Sequence, residues 1–424
     1  MEADKMGDYR KLWSDLGMDL EKHDKLCAVL PEMYGSVYLS QENRPKGMDY
    51  FNFVVAEVHG LRIEELDNHK KEGGKVVGTF CVFVPDEVIL AADAIGVGLC
   101  AGSQFWIEDG ETVMPRNLCP LIKAFMGAKV GGTCPYFNSC DMVIGETTCD
   151  GKKKAWEILE EYVPVHVMDL PQMKRAKDYK MWEEEIKLFI KQIEELTGNK
   201  ITVEGLRKGI SIANAKRRAL KRLYDLRKLK PSPISGLDAL LISQIAFYDN
   251  PLRFTEMVNA LCDELDERAK TMVPDSRKRL LITGTPMAVP NWKLHSIIES
   301  LDAQIVVEET CTGTRYFENE VSEDGETMED LIKNLADRYL KINCACFTPN
   351  DGRVDDIIRY VSEYSVDGVI DSNLSFCHTY AIEHNEVDKA LKEKNIPVMH
   401  IETDYSSEDS GQIKTRVEAF LEMI

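Results

Sequence analysis

The feature that most constrains this chain is a strand–helix alternation that occurs twice, on either side of a long helical middle. Short apolar runs read as strands at 75–81, 94–100, 141–144 and 165–168, separated by helices that begin at Pro85 and cover 121–126 and 155–161. After Arg279 the pattern resumes, with strands expected at 280–283, 305–308, 342–346, 368–371 and 397–401. The intervening helices are expected at 292–301, 328–340, 354–364 and 386–394, with a last one at 411–423. Strands joined through helices imply parallel sheets. The expected fold class is therefore α/β, with two Rossmann-like parallel-sheet domains plus a helical segment. The domains are read as 1–171, with leading helices, and 277–424, and the helical segment as 172–276. Two short echoes suggest related domains facing each other across a cleft: Gly78-Thr-Phe-Cys-Val-Phe-Val-Pro85 with Gly284-Thr-Pro-Met-Ala-Val-Pro290, and Glu146-Thr-Thr-Cys-Asp-Gly151 with Glu308-Glu-Thr-Cys-Thr-Gly313.

Cysteine usage carries the chemistry. The chain has 12 cysteines and no apolar signal core at its start, so disulfides are not expected, and metal ligands, reactive thiols or buried core residues remain. Cys81, Cys100, Cys119, Cys134, Cys140 and Cys149 crowd one stretch, and Cys311, Cys344, Cys346 and Cys377 lie in the last third. Cys27 and Cys262 stand alone in helical surroundings and read as core or surface residues. Open α/β sheets build ligand sites at the carboxyl ends of their strands. Cys81, Cys119, Cys149, Cys311, Cys346 and Cys377 fit such positions, or loops entering helices, and are expected to converge on an iron–sulfur site. Paired zinc knuckles and compact ferredoxin spacing are both absent.

The competing reading of any free cysteine is a small, buried apolar residue. It is the reading given to Cys344, Cys134, Cys140 and Cys100, although Cys344 could replace Cys346, and any of the other three could replace a member of the first half's triad, Cys81, Cys119 and Cys149. Cys311, Cys346 and Cys377 form the second half's. His378, beside Cys377, reads either as a proton relay and candidate catalytic residue or as a satisfied loop histidine. Cys149 precedes Lys152, Lys153 and Lys154 at a helix start, a positive field that would favour its thiolate. The phosphate-loop pattern fails nearby: five residues rather than four separate Gly145 from Gly151, and Lys153 stands where a magnesium-binding hydroxyl belongs. No nucleotide is expected on this chain. A formal charge of −20 argues against nucleic acid and anionic membrane as partners, and no apolar run is long enough to span a bilayer, so a cytoplasmic location is expected.

The motifs resemble the 2-hydroxyacyl-CoA dehydratase and benzoyl-CoA reductase family along nearly the whole chain. They are Gly78-Thr-Phe-Cys81 before Pro85-Asp-Glu, Asn117-Leu-Cys-Pro-Leu-Ile-Lys123, Gly145-Glu-Thr-Thr-Cys-Asp-Gly-Lys-Lys-Lys154 and Pro164-Val-His-Val-Met-Asp-Leu-Pro171. Gly284-Thr-Pro-Met-Ala-Val-Pro-Asn-Trp-Lys293, Glu308-Glu-Thr-Cys-Thr-Gly-Thr-Arg-Tyr-Phe317, Phe376-Cys-His-Thr-Tyr380 and Ile401-Glu-Thr-Asp-Tyr405 complete the set. Dehydratase subunits of that family carry one [4Fe-4S] cluster on three cysteines. With more candidate ligands, in both α/β parts, this chain is more similar to the family's double-cubane cluster proteins. That likeness implies an [8Fe-9S] double-cubane cluster on six cysteines, a homodimer, an anaerobic host, and a separate ATP-dependent iron–sulfur reductase that delivers low-potential electrons for reduction of a small-molecule substrate. The alternatives are a 2-hydroxyacyl-CoA dehydratase subunit with one [4Fe-4S] per chain, and a non-enzymatic electron carrier.

Overall fold

The computed structural model describes residues 3–424, with side chains from Tyr9 onward, and holds two separate four-stranded sheets in which every pairing is parallel. The first contains β1 (Val76–Thr79), β2 (Ile95–Gly98), β3 (Met142–Glu146) and β4 (Val165–Met168), in the order β2-β1-β3-β4. The second contains β5 (Lys278–Gly284), β6 (Ala303–Glu309), β7 (Gly368–Leu374) and β8 (Val398–Thr403), in the order β6-β5-β7-β8. The two sheets thus share one topology, two Rossmann-like α/β units. In each, the chain leaves the first strand toward one edge and returns on its other side. That reversal opens a crevice at the carboxyl ends of β1 and β3, and likewise of β5 and β7, where ligands of such sheets bind. The central strands β1, β3, β5 and β7 are buried almost end to end, as expected of parallel strands covered on both faces.

One expected strand is absent. Ile342-Asn-Cys-Ala-Cys346 is a turn-rich loop, not a strand. Local bonds mark its two ends: the Ile342 N–H donates to the Tyr339 carbonyl and that of Phe347, just past it, to the Cys344 carbonyl. The neighbours of the central strand β5 are β6 and β7, so no central edge was open to receive it. A second correction concerns the echoes. Cys149 follows β3, but Cys311 follows β6, the edge strand on the opposite side of β5, so those two loops are not topological equivalents. The matching positions are different. Cys100 lies two residues past β2 as Cys311 lies two past β6, and Cys149 lies three past β3 as Cys377 lies three past β7.

The helices Ala176–Thr197, Val203–Leu226, Gly236–Ile245 and Pro251–Ala269 lie between the two sheets in sequence, and the second of them ties the sheets together. Its Arg217 pairs with the fully buried Glu87 at 2.6 Å, and Tyr339, from beyond β6, donates to the same carboxylate at 2.7 Å. At the end of that helix Arg227 grips Glu308 of β6 through Nη1 at 2.6 Å and Nη2 at 2.9 Å. Tyr224 donates to the same carboxylate at 2.7 Å, and His295 Nε2 stands 3.2 Å away. Burial alone would push the Glu308 carboxyl up, but Arg227 and then His295 overcome it and hold it down to about 2. Because the folded value is depressed, this stabilisation is complete above the ordinary carboxylate value of about 4.3 and is lost as pH falls from there toward about 2. Unfolding free energy measured by urea titration should therefore fall more steeply between those pH values in the native chain than in Glu308→Gln. Equal slopes would remove Glu308 from the acid transition.

The halves also meet backbone to backbone. The Gly102 N–H donates to the Val289 carbonyl at 2.8 Å, and a Cβ at Gly102 would stand 2.2 Å from the Ala288 carbonyl oxygen, so only glycine permits this approach.

Candidate metal centre

The crevices of the two sheets open onto one cavity of about 400 Å³, and eight cysteines line it. They are Cys81, Cys100, Cys119 and Cys149 from the first half and Cys311, Cys344, Cys346 and Cys377 from the second. All six thiols expected from the sequence are among them, as is His378, which is exposed at the wall. Cys134 and Cys140 are not. Cys140 is buried behind the cavity with its thiol donating to the Tyr136 carbonyl at 3.2 Å. Cys27 and Cys262 lie on other helices.

The thiols sort by proximity, not by half. Cys119, Cys149 and Cys377 each occupy the N-cap of a helix, namely Pro120–Val130, Asp150–Leu159 and His378–Glu393. Pro120 at the first helical position suits such a start, and the Lys152 N–H donates to the Cys149 sulfur at 3.4 Å. Three positive helix ends therefore face one group of sulfurs, a setting that favours thiolates. Cys119 and Cys377 are neighbours across the halves, and this closeness holds Cys119 below the usual thiol range against burial while raising Cys377. Burial pushes Cys149 up, with the Lys152 N–H opposing it. The turn that aims Cys377 passes through Phe376 at φ 63°, a left-handed conformation uncommon for a bulky side chain.

Cys81, Cys311, Cys344 and Cys346 form the second group. Burial pushes Cys81 up to about 12 and Cys311 up to about 11, and in each case the neighbouring sulfur of Cys344 adds to the rise. Cys344 goes the other way. The neighbouring Cys346 sulfur, then Arg315 and Tyr380, hold it down to about 6 despite burial, with the Tyr380 hydroxyl 3.5 Å from its sulfur. The buried Lys152 acts on Cys81, while Arg315 is the buried cation that acts on Cys311 and Cys344. It is fixed by Glu309, through Nη2 at 2.7 Å, by the Gly284 carbonyl at 3.0 Å and by the Tyr380 hydroxyl. Gly284 adopts φ 122°, and a Cβ there would stand 2.0 Å from the Ser372 carbonyl oxygen, so a side chain at this position would distort the Arg315 support.

Arg315 is the residue that sequence reasoning misses, and Cys344 one that it holds only as a replacement for Cys346 if the expected strand ends earlier. No strand forms there, and both sulfurs reach the cavity. Cys100 also reads as core from the sequence. It lines the cavity as the topological partner of Cys311, but its thiol donates to the Phe80 carbonyl at 3.0 Å and is already engaged. The positive field expected from three lysines is mostly spent elsewhere. Lys153 pairs with Asp150 at 3.0 Å and Lys154 with Glu157, both in solvent, while Lys152 is buried against Glu146. Of the three, Lys152 is the one whose charge reaches Cys81 and Cys100.

This donor set is sulfur-rich, partly dry and supplied by both halves, which suits iron–sulfur chemistry better than a hard cation. The walls between the thiols are largely apolar, with Phe80, Leu118, Ile122 and Val289 among them.

Comparisons with known proteins show which family the chain belongs to. The chain is 42% identical over 365 residues to the candidate dehydratase subunit YjiM of Escherichia coli (strain K12), covering 84% of this chain and 93% of that one. It is 26% identical to the (R)-phenyllactyl-CoA dehydratase beta subunit of Clostridium sporogenes, over 88% of this chain and 98% of that one. It is 24% identical to one of the subunits of the benzoyl-CoA reductase of Thauera aromatica, over 80% and 87% respectively. A family profile described as 2-hydroxyglutaryl-CoA dehydratase, D-component, matches residues 81–424. With all eight cavity cysteines inside that matched range, the chain belongs to the 2-hydroxyglutaryl-CoA dehydratase D-component family, which takes in components of 2-hydroxyacyl-CoA dehydratases and benzoyl-CoA reductases.

Proposed function

We propose that the cavity holds an [8Fe-9S] double-cubane cluster, and that the chain, working as a homodimer, takes low-potential electrons from a separate ATP-hydrolysing iron–sulfur reductase to reduce a small molecule. The observation that carries this reading is the convergence of eight cysteines from both halves on one cavity, more than a single [4Fe-4S] needs. Cys119, Cys149 and Cys377 would hold one cubane. Cys81, Cys311 and either Cys344 or Cys346 would hold the other. When bound, the group would supply storage and low-potential transfer of electrons. The chain's own residues offset the charge of so many thiolates, through three helix N-termini at the first set and Arg315 with the Tyr380 hydroxyl at the second. The apolar wall formed by Phe80, Leu118, Ile122 and Val289 limits water around the sulfurs. His378, exposed at the cavity wall, is positioned to pass protons between solvent and a substrate there.

A second reading rests on the relatives' names. Likeness over 98% of the length of an (R)-phenyllactyl-CoA dehydratase beta subunit favours a dehydratase subunit with one [4Fe-4S] and a 2-hydroxyacyl-CoA substrate. Iron and acid-labile sulfide on protein purified without oxygen separate the two. About eight irons per chain supports the double cubane and about four the single cluster, while zinc without sulfide would end both. Acetylene reduction with the partner reductase, against dehydration of a 2-hydroxyacyl-CoA, then assigns the reaction.

A further inference from the structure

Away from the cavity, a second cluster of soft ligands stands in the leading helices. His23 and Cys27 are four residues apart on the helix Leu20–Tyr34 and so share one face. His59 comes to them from the turn between the helices Met48–Ala56 and Leu61–Lys71. His23 Nε2 lies 2.9 Å from His59 Nδ1 and 3.6 Å from the Cys27 sulfur, and one ligand atom from each of the three residues falls within 4.8 Å of the others. None of the three lines the thiol cavity. We propose that His23, Cys27 and His59 form a zinc site that clips these helices together.

The distances suit that ion. Tetrahedral zinc with bonds of about 2.3 Å to sulfur and about 2.0 Å to nitrogen requires a sulfur–nitrogen separation of ~3.6 Å and a nitrogen–nitrogen separation of ~3.3 Å. The first is already met, and the second needs the two rings to part by a few tenths of an ångström. The ligand set, two imidazoles and one thiolate, is one that zinc takes readily.

The surroundings are pre-formed. His23 is fully buried, with Trp13 edge-on to its ring at 4.3 Å. The Trp13 indole N–H donates to the His59 carbonyl at 2.6 Å and fixes that backbone. Cys27 and His59 are half-buried, so the cluster is not wholly sealed from solvent. Burial lowers His23 to about 4 and His59 to about 3, so both rings are neutral and offer lone pairs, while it raises Cys27 to about 11, so binding releases a proton. Asp24 and Arg10 are the charged groups that act on His23, and they neutralise each other at 2.6 Å.

The other histidine cluster of the described residues does not compete. His384 and His400 stack face to face at 4.0 Å, His384 is taken by Asp371 at 2.7 Å, and the Arg353 guanidinium stands 3.8 Å from that same carboxylate. A cation so close opposes a second one.

The test uses the full chain with its cysteine cavity loaded anaerobically, and cobalt(II) as the probe for zinc. The native chain should bind about one cobalt with tetrahedral visible bands and a thiolate-to-cobalt charge-transfer band, displaced by added zinc. Cys27→Ser should abolish the charge-transfer band, and His59→Gln should abolish stoichiometric binding. Cys311→Ser should keep both, which separates this site from the cavity and from the proposed activity. Zinc should raise the unfolding temperature of the native chain and leave that of Cys27→Ser unchanged. Equal cobalt uptake and an unchanged charge-transfer band in Cys27→Ser, or no tetrahedral cobalt in the native chain, would overturn the assignment. If His59→Gln fails to fold, the conservative Cys27→Ser decides through its spectrum.

Discussion

Cys119→Ala is expected to remove half or more of the iron bound per chain, and Cys311→Ala to do the same, while Cys134→Ala and Cys262→Ala leave it intact. The expectation follows from how the sulfurs divide. Cys119 sits with Cys149 and Cys377 at three helix starts, and Cys311 sits with Cys81, Cys344 and Cys346 beside Arg315. A cubane ordinarily takes four ligands. If a shared sulfide supplies one on each side, each group has no more than one thiol to spare, and the helix-start group has none. Cys134 does not line the cavity, and Cys262 is buried on the helix Pro251–Ala269. Iron and acid-labile sulfide per folded chain are the readout, with Cys344→Ala and Cys346→Ala deciding which of that pair is a ligand. Full iron in both Cys119→Ala and Cys311→Ala would end the two-group assignment.

Arg227→Met should destabilise the chain by about 3–5 kcal/mol, the cost of leaving a buried carboxylate without its cation. Arg227 and Glu308 are both wholly buried, and the guanidinium meets the carboxylate with two hydrogen bonds. A third bond, at 2.9 Å, goes from Arg227 to the Ile305 carbonyl. The double variant Arg227→Met/Glu308→Leu should recover most of the loss, because removing both charges removes the unpaired one. Urea titrations of the three proteins measure it. A loss below about 1 kcal/mol in the single variant would mean that His295 and Tyr224 suffice to hold the carboxylate.

Much of this is legible in the residues. Buried parallel strands are continuous apolar runs, so Ile282, Val306 and Val369 announce theirs, and all eight strands present fall where such runs lie. Ile342-Asn-Cys-Ala-Cys346 carries the same short-run signal and is a loop, because whether a run becomes a strand depends on a pairing partner that local sequence does not report. That one difference leaves Cys344 only as a replacement for Cys346. The apolar period places the start of the helix after Cys377 near Glu386, whereas the helix starts at His378, because His378, Thr379 and His384 break the period in its first turns. With that start concealed, the common N-cap position of Cys119, Cys149 and Cys377 is concealed too. Arg315 and Tyr380 stand inside motifs quoted for resemblance, yet nothing in one dimension says that a guanidinium 31 residues from Gly284 donates to its carbonyl. Strand order, and with it the equivalence of Cys100 with Cys311, is likewise a property of the folded sheets alone.

That each sulfur group draws on both halves has a consequence for the order of events during synthesis. Domains emerge and fold from the N-terminus first. Cys119 and Cys149 leave the ribosome early but lack Cys377, and Cys81 lacks its companions Cys311, Cys344 and Cys346. Neither group can be completed on a nascent chain that has made only its first sheet. Loading of the proposed cluster would therefore be an act performed on the finished polypeptide, and a truncation that spares the first sheet perfectly would still lack part of each sulfur group.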